Sequence, residues 1–212
     1  HLLNPVYAMR AGMDMAQVTQ RIRSTFLPGD GEGLHLHGWR TLVEACGLGY
    51  RSEPAFSEAE GACSQDDCGY NVSLELAYRE SELRTLMACS SEQLVQQGFR
   101  RPTHFRAGGW QLGPKLATAL QANGFRWDSS RIDPALLLGR WHADSALIAM
   151  LRTLHPDATA LEQPRTLRPG LLQYPNNAAL ADYTSASDLL AIFKAVAEKA
   201  HTEGKEMVMV LG

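Results

Sequence analysis

The sequence predicts an α/β protein whose short parallel strands form a sheet, either open or closed into a (β/α) barrel. Three observations predict it. Short apolar runs alternate with segments of helical periodicity. Glycine and proline punctuate most junctions, as at Pro28-Gly29-Asp30-Gly31, Gly98 and Gly124. Polar residues (His35, His37, Arg106 and Asp128) stand where predicted strands end, the position at which barrel proteins gather functional side chains.

Taken in order, His1-Leu2-Leu3-Asn4-Pro5 reads as the end of a buried strand. Met9 to Phe26 carries helical spacing through Met13, Val18 and Ile22. Leu34 to His37 is a strand. Positions 47–69 form a long loop rich in Gly, Ser and acidic residues, an insertion within a single domain spanning 1–212. Ser81 to Gln97 is a helix capped by Ser81, with Leu83, Leu86, Met87, Leu94 and Val95 as its apolar stripe. Thr103 to Arg106 is a strand, Pro114 to Asn123 a helix stopped by Gly124, and Phe125 to Asp128 another strand. Thr184 to Gly204 runs helically. Met207 to Leu211, apolar throughout, reads as a strand buried on both faces.

At 212 residues and 45% apolar content, the chain supports a real core. A net charge of −3 gives no basic surface for nucleic acid. No run of about 18 apolar residues predicts a transmembrane segment. The four cysteines cluster in one region, which suggests disulfides and an oxidising compartment, periplasmic or secreted. Three pairings are open. The favoured one joins Cys63 to Cys68 as a loop staple and Cys46 to Cys89 as the second bridge. A zinc site of four thiolates ranks lower, because the closely spaced cysteine pairs of such sites are missing.

His35 and His37 lie two apart in an extended run, so their side chains share a face about 6.6 Å apart at the base. Imidazoles at that spacing can converge on one ion. A plain structural reading stands beside this one: a histidine pair on a half-buried strand, Arg106 in a salt bridge, and Trp39, Trp110 and Trp127 as core aromatics.

Glu32-Gly33-Leu34-His35-Leu36-His37-Gly38-Trp39 resembles the second motif of the polysaccharide deacetylase family, the NodB-homology carbohydrate esterases. Phe105-Arg106-Ala107-Gly108-Gly109-Trp110 resembles the third. Asn123 to Ser130 resembles the segment holding the fourth, and Leu172 to Asn177 with Asp182-Tyr183 resembles a later one. The resemblance implies a distorted (β/α) barrel, incomplete in this chain. It also implies a divalent metal, commonly zinc, and removal of acetyl groups from a polysaccharide, chiefly from N-acetylated amino sugars. It makes His35 and His37 metal ligands and pairs Arg106 with a base aspartate. It has Asp128 orient a general-acid histidine, and Trp39, Trp110 and Trp127 wall the sugar site.

Three departures qualify it, one being that the third motif usually has a proline where Ala107 or Gly108 stands. The family's histidines stand four apart, not two. Its Asp-Asp first motif has no counterpart before His35, where only Asp14 and Asp30 occur. The chain is therefore expected to start at the second barrel strand, to stop before the final histidine motif, to retain metal weakly or not at all and to release no acetate by itself. The alternative is a catalytically inactive relative that binds glycans or partners through the same cleft.

Overall fold

The computed structural model describes residues 1–10, 12–57, 68–178, 180 and 184–211. Among them, six strands form one sheet and eight α-helices surround it. The strands are β1 (Leu2–Leu3), β2 (Gly33–Leu36), β3 (His104–Ala107), β4 (Trp127–Asp128), β5 (Arg165–Arg168) and β6 (Leu171–Gln173). Their order is β1-β2-β3-β4-β6-β5, parallel throughout except for the antiparallel β5–β6 hairpin at one edge. Successive parallel strands always add on the same side. That is the winding of a barrel wall rather than of a doubly wound sheet. The sheet is open: β1 and β5 do not pair. The α/β expectation holds, and a closed barrel is not formed among the described residues.

The registers sort the side chains onto two faces. Leu3, Leu34, Leu36, Phe105, Ala107, Asp128 and Gln173 share one face, and all are buried. Helices α5 (Glu80–Gln96) and α6 (Pro114–Ala122) pack there through Leu83, Leu86, Met87, Leu116 and Leu120. The other face carries His35, His104, Arg106, Trp127 and Leu172. It is only partly covered, with Leu172 exposed. A second apolar cluster gathers Phe56, Ile132, Leu147, Ile148, Leu151 and Leu180 around α7 (Ala146–Leu154).

Local chemistry explains most boundaries and several corrections. The helix expected over Met9 to Phe26 is shorter, α2 (Met15–Arg23), and a separate turn of helix, α1 (Val6–Met9), precedes it. Asp14 caps α2, accepting from the amides of Ala16 and Gln17. Helix α5 starts one residue earlier than expected. Ser81 lies inside it, and Glu82 instead accepts from the Arg79 amide at 2.8 Å. The short helices α3 (Arg40–Ala45) and α4 (Leu74–Ala77) flank positions 47–69. Helix α8 (Ala186–Glu203) begins at the Ser185 cap and ends at left-handed Gly204.

Met207 to Leu211 does not form a strand. Val208 and Leu211 are exposed, and Asn177 and Gln163 side chains hold its backbone where a neighbouring strand would. Cys46 and Cys89 form a disulfide between the end of α3 and α5, which excludes a four-thiolate zinc site. The expected Cys63–Cys68 bridge lies outside the described residues because Cys63 does. No described helix is long and apolar enough to cross a membrane.

Candidate metal and substrate site

The site begins where β2 runs out. Pairing between β2 and β3 ends at Leu36 and Ala107, so His35 sits within the ladder and His37 just past it. The His35 Nδ1 donates to the Arg106 carbonyl on the adjacent strand at 2.9 Å. The His37 Nδ1 donates to the Tyr70 carbonyl at 2.5 Å. With both Nδ1 atoms protonated, each Nε2 holds a lone pair, and the two Nε2 atoms face each other at 3.0 Å. The rings meet edge to face, 4.8 Å between centroids.

Burial pushes the His35 pKa down to about 4 and that of His37 to about 3. The neighbouring Arg106 charge adds to the first shift and His35 to the second, while the carbonyl bonds oppose both. The pair is therefore neutral at ordinary pH, with two opposed lone pairs that one cation would satisfy. The donor set fits a borderline-soft divalent ion. Among the described residues no third His, Cys, Asp or Glu joins it.

The first glycine of the third-motif segment is explained by this pair, and the second, Gly109, by its φ of 59° and the Phe56 ring beside it. A Cβ on Gly108 would overlap the His37 ring, so only glycine lets the turn after β3 close over it. Trp110 follows with φ of 56°, an uncommon conformation for a non-glycine residue. His155 holds this turn by donating to the Trp110 carbonyl at 2.9 Å.

A cavity of about 240 Å³ opens beside the pair. Its walls include Phe56, Tyr70, Trp110 and Trp141, with Arg106 at its edge. Arg106 donates to Ser129 through Nε and to Asn176 Oδ1 at 2.9 Å through Nη2. No carboxylate lies within salt-bridge distance of it among the described residues. Burial lowers its pKa, opposed by the charge of Asp128.

Of the residues singled out in the sequence, His35, His37, Arg106 and Trp110 meet at this cavity. Three do not. Asp128 alternates with Arg106 across the sheet and lies on the helix-covered face, fully buried. Its carboxylate accepts from the Ser130 amide at 2.9 Å, from the Ser130 hydroxyl and from Gln173 Nε2 at 3.2 Å. Burial pushes its pKa up to about 6 against those bonds. The expected four-residue convergence on one rim therefore lacks Asp128. Trp127 is on the open face, stacked on His104 at 4.2 Å, and lines a second, 380 Å³ hollow with Leu2 and Tyr174, which shares Arg106 with the first cavity. Trp39 is buried behind Tyr70 and takes the Arg10 guanidinium over its ring at 5.1 Å. Asp182 and Tyr183 lie outside the described residues.

Phe56, Tyr70 and Trp141 line the cavity and went unread in the sequence. The available signal was slight: each is an aromatic residue in an otherwise polar loop.

No protein-family model matches the chain, and no curated protein does. One similar solved structure is of a Mycobacterium smegmatis protein provisionally described as a polysaccharide deacetylase. It aligns at 12% identity over 99% of this chain with a TM-score of 0.49. The chain spans 56% of that protein's length.

Proposed function

We propose that the chain holds a divalent metal, zinc by its donor chemistry, through His35 and His37, and acts in removing acetyl groups from a polysaccharide. The observation that carries this reading is the pair of Nε2 lone pairs converging at 3.0 Å while both Nδ1 atoms donate to carbonyls. The order of sequence motifs around it supplies the substrate class. A divalent ion there would acidify a bound water and polarise an acetyl carbonyl.

The chain's own residues have definable parts. His35 and His37 bind through Nε2, their tautomers fixed by the carbonyls of Arg106 and Tyr70. Phe56, Tyr70, Trp110 and Trp141 offer flat apolar faces that suit a pyranose ring and exclude water around the acetyl group. Arg106, in no salt bridge among the described residues, presents its guanidinium to the same cavity, positioned to attract a catalytic carboxylate or to steady developing negative charge. Asp128 acts through the scaffold: it fixes Ser130, whose hydroxyl receives the Ala107 amide at 2.8 Å and so sets the strand carrying Arg106. The Cys46–Cys89 disulfide supports a periplasmic or secreted location.

Two protein donors hold zinc weakly. The test measures zinc uptake and acetate release with an oligomer of N-acetylated amino sugar. Weak zinc binding lost on His35→Ala, together with oligomer binding at the aromatic cavity, is the expected result. Absence of zinc binding would overturn the metal reading. Oligomer binding without acetate release, even with formate added as a carboxylate activator, would favour the glycan-binding relative.

A further inference from the structure

We infer that Tyr70, on the arm that leaves the inserted loop, is a positioning residue for the histidine pair. Its carbonyl fixes the His37 tautomer and its ring fixes the His37 plane. This rests on the reading that the pair receives a cation.

The need follows from the strand register. His35 finds its carbonyl partner within the sheet, on Arg106. His37 lies beyond the last β2–β3 pair, so the sheet offers it none. Without an acceptor at Nδ1 the imidazole would be free to carry its proton on either nitrogen, and half of the converging donor set would be lost. Tyr70 supplies that acceptor at 2.5 Å and lays its ring on the imidazole, 4.0 Å between centroids and 12° from parallel.

The arm is built to hold this contact. The Arg40 amide donates to the Cys68 carbonyl at 2.8 Å, and the Val72 amide to the Gly69 carbonyl at 3.2 Å. Gly69 has φ of 102°, and a Cβ there would collide with the Gly38 carbonyl. The backbones of 69 and 38 therefore touch, which places residue 70 beside residue 37. Ala55 and Val72 form an antiparallel bridge beyond it, and Trp39 packs against the Tyr70 ring at 5.3 Å. The loop and the arm leaving it thus complete the site: Phe56 from the loop and Tyr70 from the arm give one wall of the cavity, and Tyr70 also gives the acceptor for His37.

The test uses long-range proton–nitrogen NMR of the histidine rings in the metal-free chain, followed by zinc titration, for the native protein, Tyr70→Phe and Tyr70→Ala. Native and Tyr70→Phe are expected to show His37 protonated at Nδ1 alone. Tyr70→Ala keeps the carbonyl but frees the imidazole plane, so the Nδ1–carbonyl bond is no longer held in line; it is expected to populate both tautomers and to bind zinc about tenfold more weakly, the loss typical of removing an outer support. Should Tyr70→Ala fail to fold, Tyr70→Leu removes the flat ring while keeping bulk and gives the same readout. A native tautomer and native zinc affinity in the folded, ring-deleted variant would overturn the inference. If the native chain takes up no zinc, the metal reading fails, and the tautomer comparison still decides the role of Tyr70.

Discussion

Two imidazoles with facing lone pairs are repulsive unless a proton or a metal lies between them, and burial here disfavours the proton. The fit depends on a single missing methyl group. Gly108→Ala would put a Cβ into the His37 ring, so it is expected to abolish zinc uptake while circular dichroism keeps the native helix signal. Asp128 gives a separate prediction. Its folded pKa of about 6 lies above its unfolded value of 3.8, so the folded state binds that proton more tightly. This contribution is fully present below pH 3.8 and is lost as pH rises through 6, about 3 kcal/mol in all. Asp128→Asn should remove it, seen as a pH-dependent difference in urea unfolding between the two proteins. An unchanged difference from pH 4 to 7 would show that the carboxyl does not titrate this way.

The elements that carry the site are braced by two devices. The disulfide closes a sequence separation of 43 residues, which constrains the unfolded chain by up to about 4 kcal/mol on the loop-entropy account. Replacing Cys46 and Cys89 together by Ala should lower stability by about 2–4 kcal/mol in denaturant unfolding. The second device is Glu75, buried between α4 and α6. Its carboxylate accepts from the Lys115 and Leu116 amides at 3.1 and 2.8 Å, satisfying the start of α6. Glu75→Ala should cost about 1–3 kcal/mol by leaving those amides unmet. Amphipathic helices were legible because apolar spacing dictates their burial, as in α5. The exposed Met207 to Leu211 segment misled because an apolar run cannot state whether a neighbouring strand exists to pair with it. The β5–β6 hairpin went unread because Arg165 to Arg168 carries no apolar alternation.

At the scale of the whole molecule, the sheet covers one face with helices and leaves the other only partly covered. The largely parallel sheet was legible because short apolar strands alternate with helical segments; its strand order and the antiparallel edge were not. The histidine pair, Arg106 and the glycine turn were legible because their spacing is local. Asp128 misled because strand parity, set by a register two strands away, decides which face it meets. Phe56, Tyr70 and Trp141 come from separate loops, and only the fold brings them to one cavity. The central proposal is that the histidines are a two-donor metal platform. Calorimetric titration of Zn²⁺ into the metal-free chain, beside His35→Ala and His37→Ala, tests that most directly. The expected result is one ion per native chain, with affinity reduced at least about tenfold in either variant, roughly 1.4 kcal/mol or more. No uptake by the native chain, or uptake indifferent to both substitutions, would contradict it.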